Sequence, residues 1–188
     1  MYIQTVSEAE AQGKVREFYD GDLKTYGFVP NTSKVFSPRP EVLEAWRGFQ
    51  GSIRKNLRLR RYELVTLAAA QALRCRYCVL AHGNILLKNN FTLEQLRTIL
   101  TDYHRAGLEA AEVAMMDFAQ TICLHAYEMT SADVDALRAV GLDDLEIFDI
   151  ALTATMRSFA SKTFDALGAE PDAAYDELAA QLGDLVPA

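Results

Sequence analysis

The stretch LRRYELVTLAAAQALRCRYCVLAHGNILL, residues 59–87, decides the fold class. Leu64, Leu67, Ala68, Leu73 and Leu80 recur in it at helical intervals, and it holds no proline and one glycine, Gly83. Apolar residues repeating every three to four positions predict helix. Working outward, Thr92 caps a helix carrying Leu96, Ile99 and Leu100 that Gly107 ends, and Glu109 to Tyr127 keeps the same period. Ser131 caps a helix over Ala132 to Val140, Asp143 opens a long helix ending near Gly168, and Pro171 begins a last short one. Toward the N-terminus, Ser7 with Glu10 reads as a capping box opening a helix with Val15, Phe18, Tyr19 and Leu23. Gly27 to Pro40 is the longest irregular stretch, and a helix after Pro40 carries Val42, Leu43, Trp46 and Phe49 until Gly48 and Gly51 weaken it. No segment alternates with period two between turn dipeptides. The prediction is an all-α bundle of about eight or nine helices.

With 188 residues, half of them hydrophobic and 24% charged, the chain fits one folded domain able to bury about 70% of its unfolded surface without a metal or disulfide staple. We divide residues 1–188 into an N-terminal helical extension (1–58), a core (59–168) and a C-terminal helix and tail (169–188). A net charge of −7 argues against a nucleic-acid partner, which needs an excess of Lys and Arg. The local cluster Arg54, Lys55, Arg58, Arg60 and Arg61 runs into an apolar helix and reads as its solvated start, with attraction of an anion to the site nearby as the alternative. No apolar run reaches the ~18 residues of a membrane span, and the first ten residues lack a secretory pattern, so a cytoplasmic protein is expected. In that compartment a close cysteine pair is redox-active or metal-binding more often than structural.

That pair is Cys75 and Cys78, with His82 four residues on. Within a helix these spacings share a face, and the two cysteine Cα atoms would lie about 5 Å apart, within disulfide range. A free thiol with a pKa near 8.5 is only a few per cent thiolate at pH 7, so a reactive one needs help. His82, the helix N-terminus near Cys75, and the flanking Arg74 and Arg76 are the candidate sources. A thiolate oxidised by peroxide to sulfenic acid condenses with a neighbouring thiol, which makes a two-cysteine peroxidase cycle. Glu63, among Leu64, Leu67 and Ala68, is a candidate proton relay or, more blandly, a surface glutamate at a helix start. One straight helix over residues 59–87 would leave Glu63 about 18 Å from Cys75. A relay therefore requires a fold-back near Leu73 to Tyr77, which neither Gly nor Pro marks.

The pattern Glu63, Cys75, Cys78, His82, set in Glu63-Leu64-Val65-Thr66-Leu67 and Cys75-Arg76-Tyr77-Cys78-Val79-Leu80-Ala81-His82-Gly83, resembles the signature of the AhpD-like (alkylhydroperoxidase D-like) branch of the carboxymuconolactone decarboxylase superfamily, in particular its longer peroxidase-related members. The resemblance extends from Pro30 through Val35 to Pro40, Asp102-Tyr103 and Leu137-Arg138 to Leu167-Gly168. It implies an all-α AhpD-like helical bundle forming a homo-oligomer (dimer, trimer or hexamer), with no metal or organic cofactor. It also implies a thiol-dependent peroxidase that reduces hydrogen peroxide or organic hydroperoxides at the expense of a dithiol or thiol reductant. Carried over, Cys78 attacks the peroxide, Cys75 resolves, and His82 with Glu63 relays protons. Tyr77 departs from the histidine that the best-studied members carry before the second cysteine. Decarboxylases of the superfamily lack the cysteine pair.

Two other functions fit the same residues. Cys75, Cys78 and His82, with Cys123 or Glu63, would make four zinc ligands, although one helix without a second knuckle is an unusual zinc site. A redox sensor would open and close the disulfide without efficient turnover. Cys123 reads as a buried inert thiol, His104 and His125 as surface or hydrogen-bonded core residues, and Phe148, Phe159 and Phe164 as core. Tyr62 and Tyr77 are candidates to line the site.

Overall fold

A computed structural model describes residues 1–188 as ten α-helices with short 3-10 turns and no strand. They are α1 Gly13–Tyr26, α2 Asn31–Val35, α3 Pro40–Arg54, α4 Leu59–Ala72, α5 Arg76–Lys88, α6 Leu93–Asp102, α7 Ala110–His125, α8 Ser131–Ala139, α9 Asp144–Ala166 and α10 Asp176–Leu182. The all-α expectation holds.

Every residue of α4 from Tyr62 to Ala70 is buried, Glu63 included. A helix apolar all round belongs at the centre of a bundle, and α5, α7 and α9 pack around α4 while α7 and α9 also pack on each other. The small run Ala68 to Ala70 gives those neighbours close approach. Leu64 and Leu67 are fully buried, so truncating either to alanine should cost about 2–5 kcal/mol. One hydrophobic cluster runs from Val35 to Val186 and draws side chains from both ends of the chain.

The fold-back that the relay requires is present. α4 ends at Ala72 with Leu73 as its C-cap, Arg74 takes the left-handed conformation at φ 57°, and Cys75 precedes α5 as its N-cap. Cys75 N–H donates to Ala70 O (3.0 Å) and Arg74 N–H to Gln71 O (2.9 Å), the two bonds of a Schellman cap. Arginine stands where glycine is usual, at a cost of about 1–2 kcal/mol. Cys75 thus ends the cap of α4 and serves as N-cap of α5, its carbonyl accepting from Val79 N–H at 3.0 Å. It lies just outside the helix rather than within it, contrary to the single-helix spacing argument.

Several boundaries move. Ser7 and Glu10 do bond each other, Ser7 Oγ donating to Glu10 Oε2 at 2.6 Å, but they close a turn, and α1 begins only at Gly13. The stretch from Gly27 to Pro40 contains α2, and α3 continues through Gly48 and Gly51 to Arg54. Thr130, not Ser131, caps α8 in a box with Asp133. Pro171 leads to a 3-10 turn before α10. Phe164 is core, but Phe148 and Phe159 are 59% and 47% exposed, so two of the three phenylalanines expected inside face outward.

Candidate functional site

The reversal at Arg74 lays α5 back along α4 and brings Glu63 and His82, nineteen residues apart, into contact. His82 Nδ1 lies 2.6 Å from Glu63 Oε2, and both side chains are buried. A carboxylate at that distance calls for the proton on Nδ1, which leaves Nε2 as the ring's second working atom. The alternative of a surface glutamate is thereby excluded for Glu63.

Cys78 is the third residue of α5, in the first turn, where the helix dipole favours an anion. Two groups on α9 donate to its sulfur: Ser161 Oγ at 3.2 Å and Arg157 Nη1 at 3.4 Å. Burial alone would raise the Cys78 thiol, but the Cys75 hydrogen bond, the Arg157 guanidinium, His82 and Ser161 together outweigh it and hold the thiol well below its ordinary value. Cys75 goes the other way. Its hydrogen bond to Cys78 and its burial, with Asp165 nearby, keep it protonated. The two buried sulfurs are therefore pushed in opposite directions, Cys78 toward the thiolate and Cys75 toward the thiol, with neither in a disulfide.

Arg157 carries the largest share of positive charge here and was not singled out in the sequence. It is 3% exposed, and although burial disfavours its charge, the Cys78 sulfur more than restores it. Arg74 and Arg76, expected to flank the sulfur, do not: Arg76 Nη1 donates to Pro187 O at 3.1 Å, and Arg74 is exposed at the cap.

Tyr77, between the cysteines, turns away from them. Its hydroxyl donates to Asp172 Oδ2, while Asp172 Oδ1 accepts from Asn31 N–H at 2.9 Å. Burial and the Asp172 carboxylate push the Tyr77 phenol far up, so it stays neutral and ties α5 to the segments at Asn31 and Asp172.

A cavity of about 150 Å³ opens on this site. Cys78, His82, Glu63 and Arg157 line it together with Tyr62 and Tyr77, whereas Cys75 lies behind the wall. No group of three or more His, Cys, Asp or Glu side chains is placed to hold a metal ion. Cys123 is half-buried on α7, its sulfur 3.4 Å from Ser158 Oγ, and burial raises its thiol. His104 and His125 are exposed.

Residues 40–121 match the carboxymuconolactone decarboxylase family, a span that contains Glu63, both cysteines of the pair and His82. The peroxidase-related AhpD-core protein of Ralstonia eutropha JMP134 superposes with a TM-score of 0.84 at 25% identity, covering 93% of each chain. The chain thus has the fold of an AhpD-core protein, and within it residues 40–121 match the carboxymuconolactone decarboxylase family. A peroxidase-related protein of Silicibacter sp. TM1040 shares the AhpD-like fold with a TM-score of 0.79 at 22% identity over 93% of this chain and 91% of its own. So does the debrominase Bmp8, solved as a variant in complex with 2,3,4-tribromopyrrole, with a TM-score of 0.81 at 14% identity over 97% and 98% of the two chains. No protein of curated function matches the sequence significantly. No helix of this AhpD-like chain is long and apolar enough to cross a membrane.

Proposed function

We propose that the chain is a thiol-dependent peroxidase that cycles Cys75 and Cys78 between dithiol and disulfide. The observation that carries this reading is the Cys78 sulfur: a depressed thiol in a cavity wall, receiving bonds from Arg157 and Ser161 with a protonated cysteine beside it.

The Cys78 thiolate attacks the terminal oxygen of a hydroperoxide. The S–O bond forms as the O–O bond breaks, sulfur loses two electrons, and the leaving alkoxide takes a proton from the His82–Glu63 pair to depart as an alcohol, or as water from hydrogen peroxide. Arg157, already at the sulfur, stabilises the negative charge that moves from sulfur to the leaving oxygen. Cys75 then attacks the sulfenic sulfur, the S–S bond forms and water leaves. An external dithiol reduces the disulfide, and the proton returned to Cys78 passes to His82. Glu63 acts through His82 and is a positioning residue.

The resemblance to peroxidase-related proteins supports this chemistry, and the site needs no metal or organic cofactor for it. We further propose a homo-oligomer: Val42, Phe49 and Phe159 stand exposed around one groove between α3 and α9, where a second copy would cover them. The test of the function is steady-state consumption of hydrogen peroxide and an alkyl hydroperoxide with a dithiol donor. Multiple turnovers that vanish in Cys78→Ser are expected. A single stoichiometric oxidation with every dithiol tried would replace the peroxidase by a redox sensor.

A further inference from the structure

The charges that line the cavity are paired, with one exception. Arg47 Nη2 donates to both oxygens of Asp22 (2.8 and 2.9 Å) and to Ser33, Glu63 is bonded to His82, and Arg157 faces the Cys78 sulfur. Arg54 alone has no acidic partner, and its guanidinium lies over the ring of Tyr62, 5.7 Å from the centroid. Tyr62 in turn is close enough to Arg157 to affect its charge. Arg54, Tyr62, Arg157 and Cys78 thus form a sequence from the exposed end of the cavity to its reactive sulfur.

Tyr175, another wall residue, has its hydroxyl pushed up to about 12 by burial and the neighbouring Asp172, so it remains a neutral donor. One unpaired cation at the exposed end and a neutral donor in the wall suit a negatively charged ligand. Size limits the enclosed part of that ligand, since a volume near 150 Å³ takes a body about as large as one benzene ring, whose charged substituent would reach out to the exposed Arg54. Trp46, Tyr62, Phe164 and Tyr175 make the wall largely aromatic.

We propose that the cavity selects a small organic hydroperoxide bearing a carboxylate, with the hydroperoxide at Cys78 and the carboxylate on Arg54. The proposal rests on the peroxidase reading and names its substrate class. The reaction is unchanged: the terminal oxygen goes to Cys78, the remainder departs as the hydroxy acid, and a dithiol restores the pair. Hydrogen peroxide would leave Arg54 and the aromatic wall unused.

The experiment compares cumyl hydroperoxide with its para-carboxylate, in the wild type and in Arg54→Gln, with one dithiol donor. The wild type should favour the carboxylate by about 10- to 100-fold in kcat/KM, the range of one hydrogen-bonded charge, chiefly through KM. In Arg54→Gln the ratio should fall to within about threefold, the loss again being in KM. A second arm needs no turnover: 4-isopropylbenzoate should perturb the fluorescence of Trp46, the chain's single tryptophan, saturably, and bind at least about tenfold more weakly to Arg54→Gln. Equal turnover of both hydroperoxides, or a preference that survives in Arg54→Gln, overturns the proposal and leaves the peroxidase standing. Binding of 4-isopropylbenzoate without turnover of either hydroperoxide overturns the peroxidase reading, and the substrate assignment with it.

Discussion

Arg157→Met separates the role of charge at Cys78 from that of packing, because methionine keeps much of the apolar stem and removes the guanidinium. An opposite charge within about 4–6 Å moves a pKa by about 1–3 units, or about 1.4–4 kcal/mol of preference for the charged form. Arg157 lies 3.4 Å from the sulfur in a buried setting. In the variant burial and the contacts with Cys75, His82 and Ser161 remain but the guanidinium is gone, so the Cys78 thiol should rise. The thiolate fraction near neutral pH then falls, and oxidation of Cys78 by hydrogen peroxide should slow, by up to about tenfold for each unit of rise. The assay is the rate of sulfenate formation at Cys78 between about pH 5 and pH 10, resolved by mass spectrometry from Cys75 and Cys123. The wild-type rate should level off at a lower pH than that of the variant. The variant should climb with pH and approach the wild type near the alkaline end. Superimposable profiles would refute the assignment of the depressed thiol to Arg157.

The same pair makes stability depend on pH. The Cys78 thiol is lower in the folded than in the unfolded chain, so its contribution is complete above the unfolded value of about 8.5 and is lost as pH falls through the folded one. The gap in unfolding free energy between wild type and Arg157→Met should therefore narrow on acidification.

Other substitutions divide the remaining roles. Cys78→Ser strands a buried guanidinium whose Nε is already without a partner, and should cost about 3–5 kcal/mol, or roughly 6–20 °C in Tm, against less than about 1.5 kcal/mol for Cys75→Ser. Cys75→Ser should still be oxidised once, leave Cys78 as a sulfenic acid that a dimedone-type reagent traps, and fail to turn over; normal turnover in this variant would reverse the sulfur roles. Glu63→Gln should slow the peroxide step by about 10- to 1,000-fold with both thiols still present, as His82→Ala should, and an unchanged rate would remove the relay. Tyr77→Phe should lower stability by about 1–3 kcal/mol through the orphaned Asp172 oxygen, with the pH profile of Cys78 unmoved. Sedimentation of the wild type at micromolar concentration should show a species heavier than the 20.9 kDa chain.

Helical periodicity located the long elements because their apolar positions repeat, and it failed where a local rule has two outcomes. Ser7 and Glu10 form one of the two hydrogen bonds of a capping box, Glu10 N–H donating to Ser7 Oγ, yet a side-chain cap stabilises a turn as readily as a helix, and the chain takes the turn. The break at Arg74 was deducible only from function: the carboxylate and the imidazole had to meet, and no local residue announces a left-handed position filled by arginine. What holds it is the cap on Ala70 and Gln71 together with the burial of the two helices it joins.

Arg157 shows why the second half of the site was harder to find. Ile147, Ile150, Ala154, Arg157, Ser161 and Phe164 succeed one another at intervals of three and four along α9, and all six are buried. Arginine thus occupies a core position of a regular stripe, with serine one turn on. A charge there is costly unless something opposite it is anionic. The signal was present in the long helix, but its meaning depended on what the stripe faces. That partner, Cys78, lies 79 residues away on α5 and is neutral by default. A motif with fixed spacing, such as Cys75, Cys78 and His82, is legible because one short segment holds it. A thiolate and the buried cation that sustains it come from separate helices, and each explains the other only when the helices are packed. An unpartnered arginine on the apolar stripe of an all-α chain, found alongside a lone CxxC, is therefore a rational first candidate for the counter-charge of the reactive sulfur.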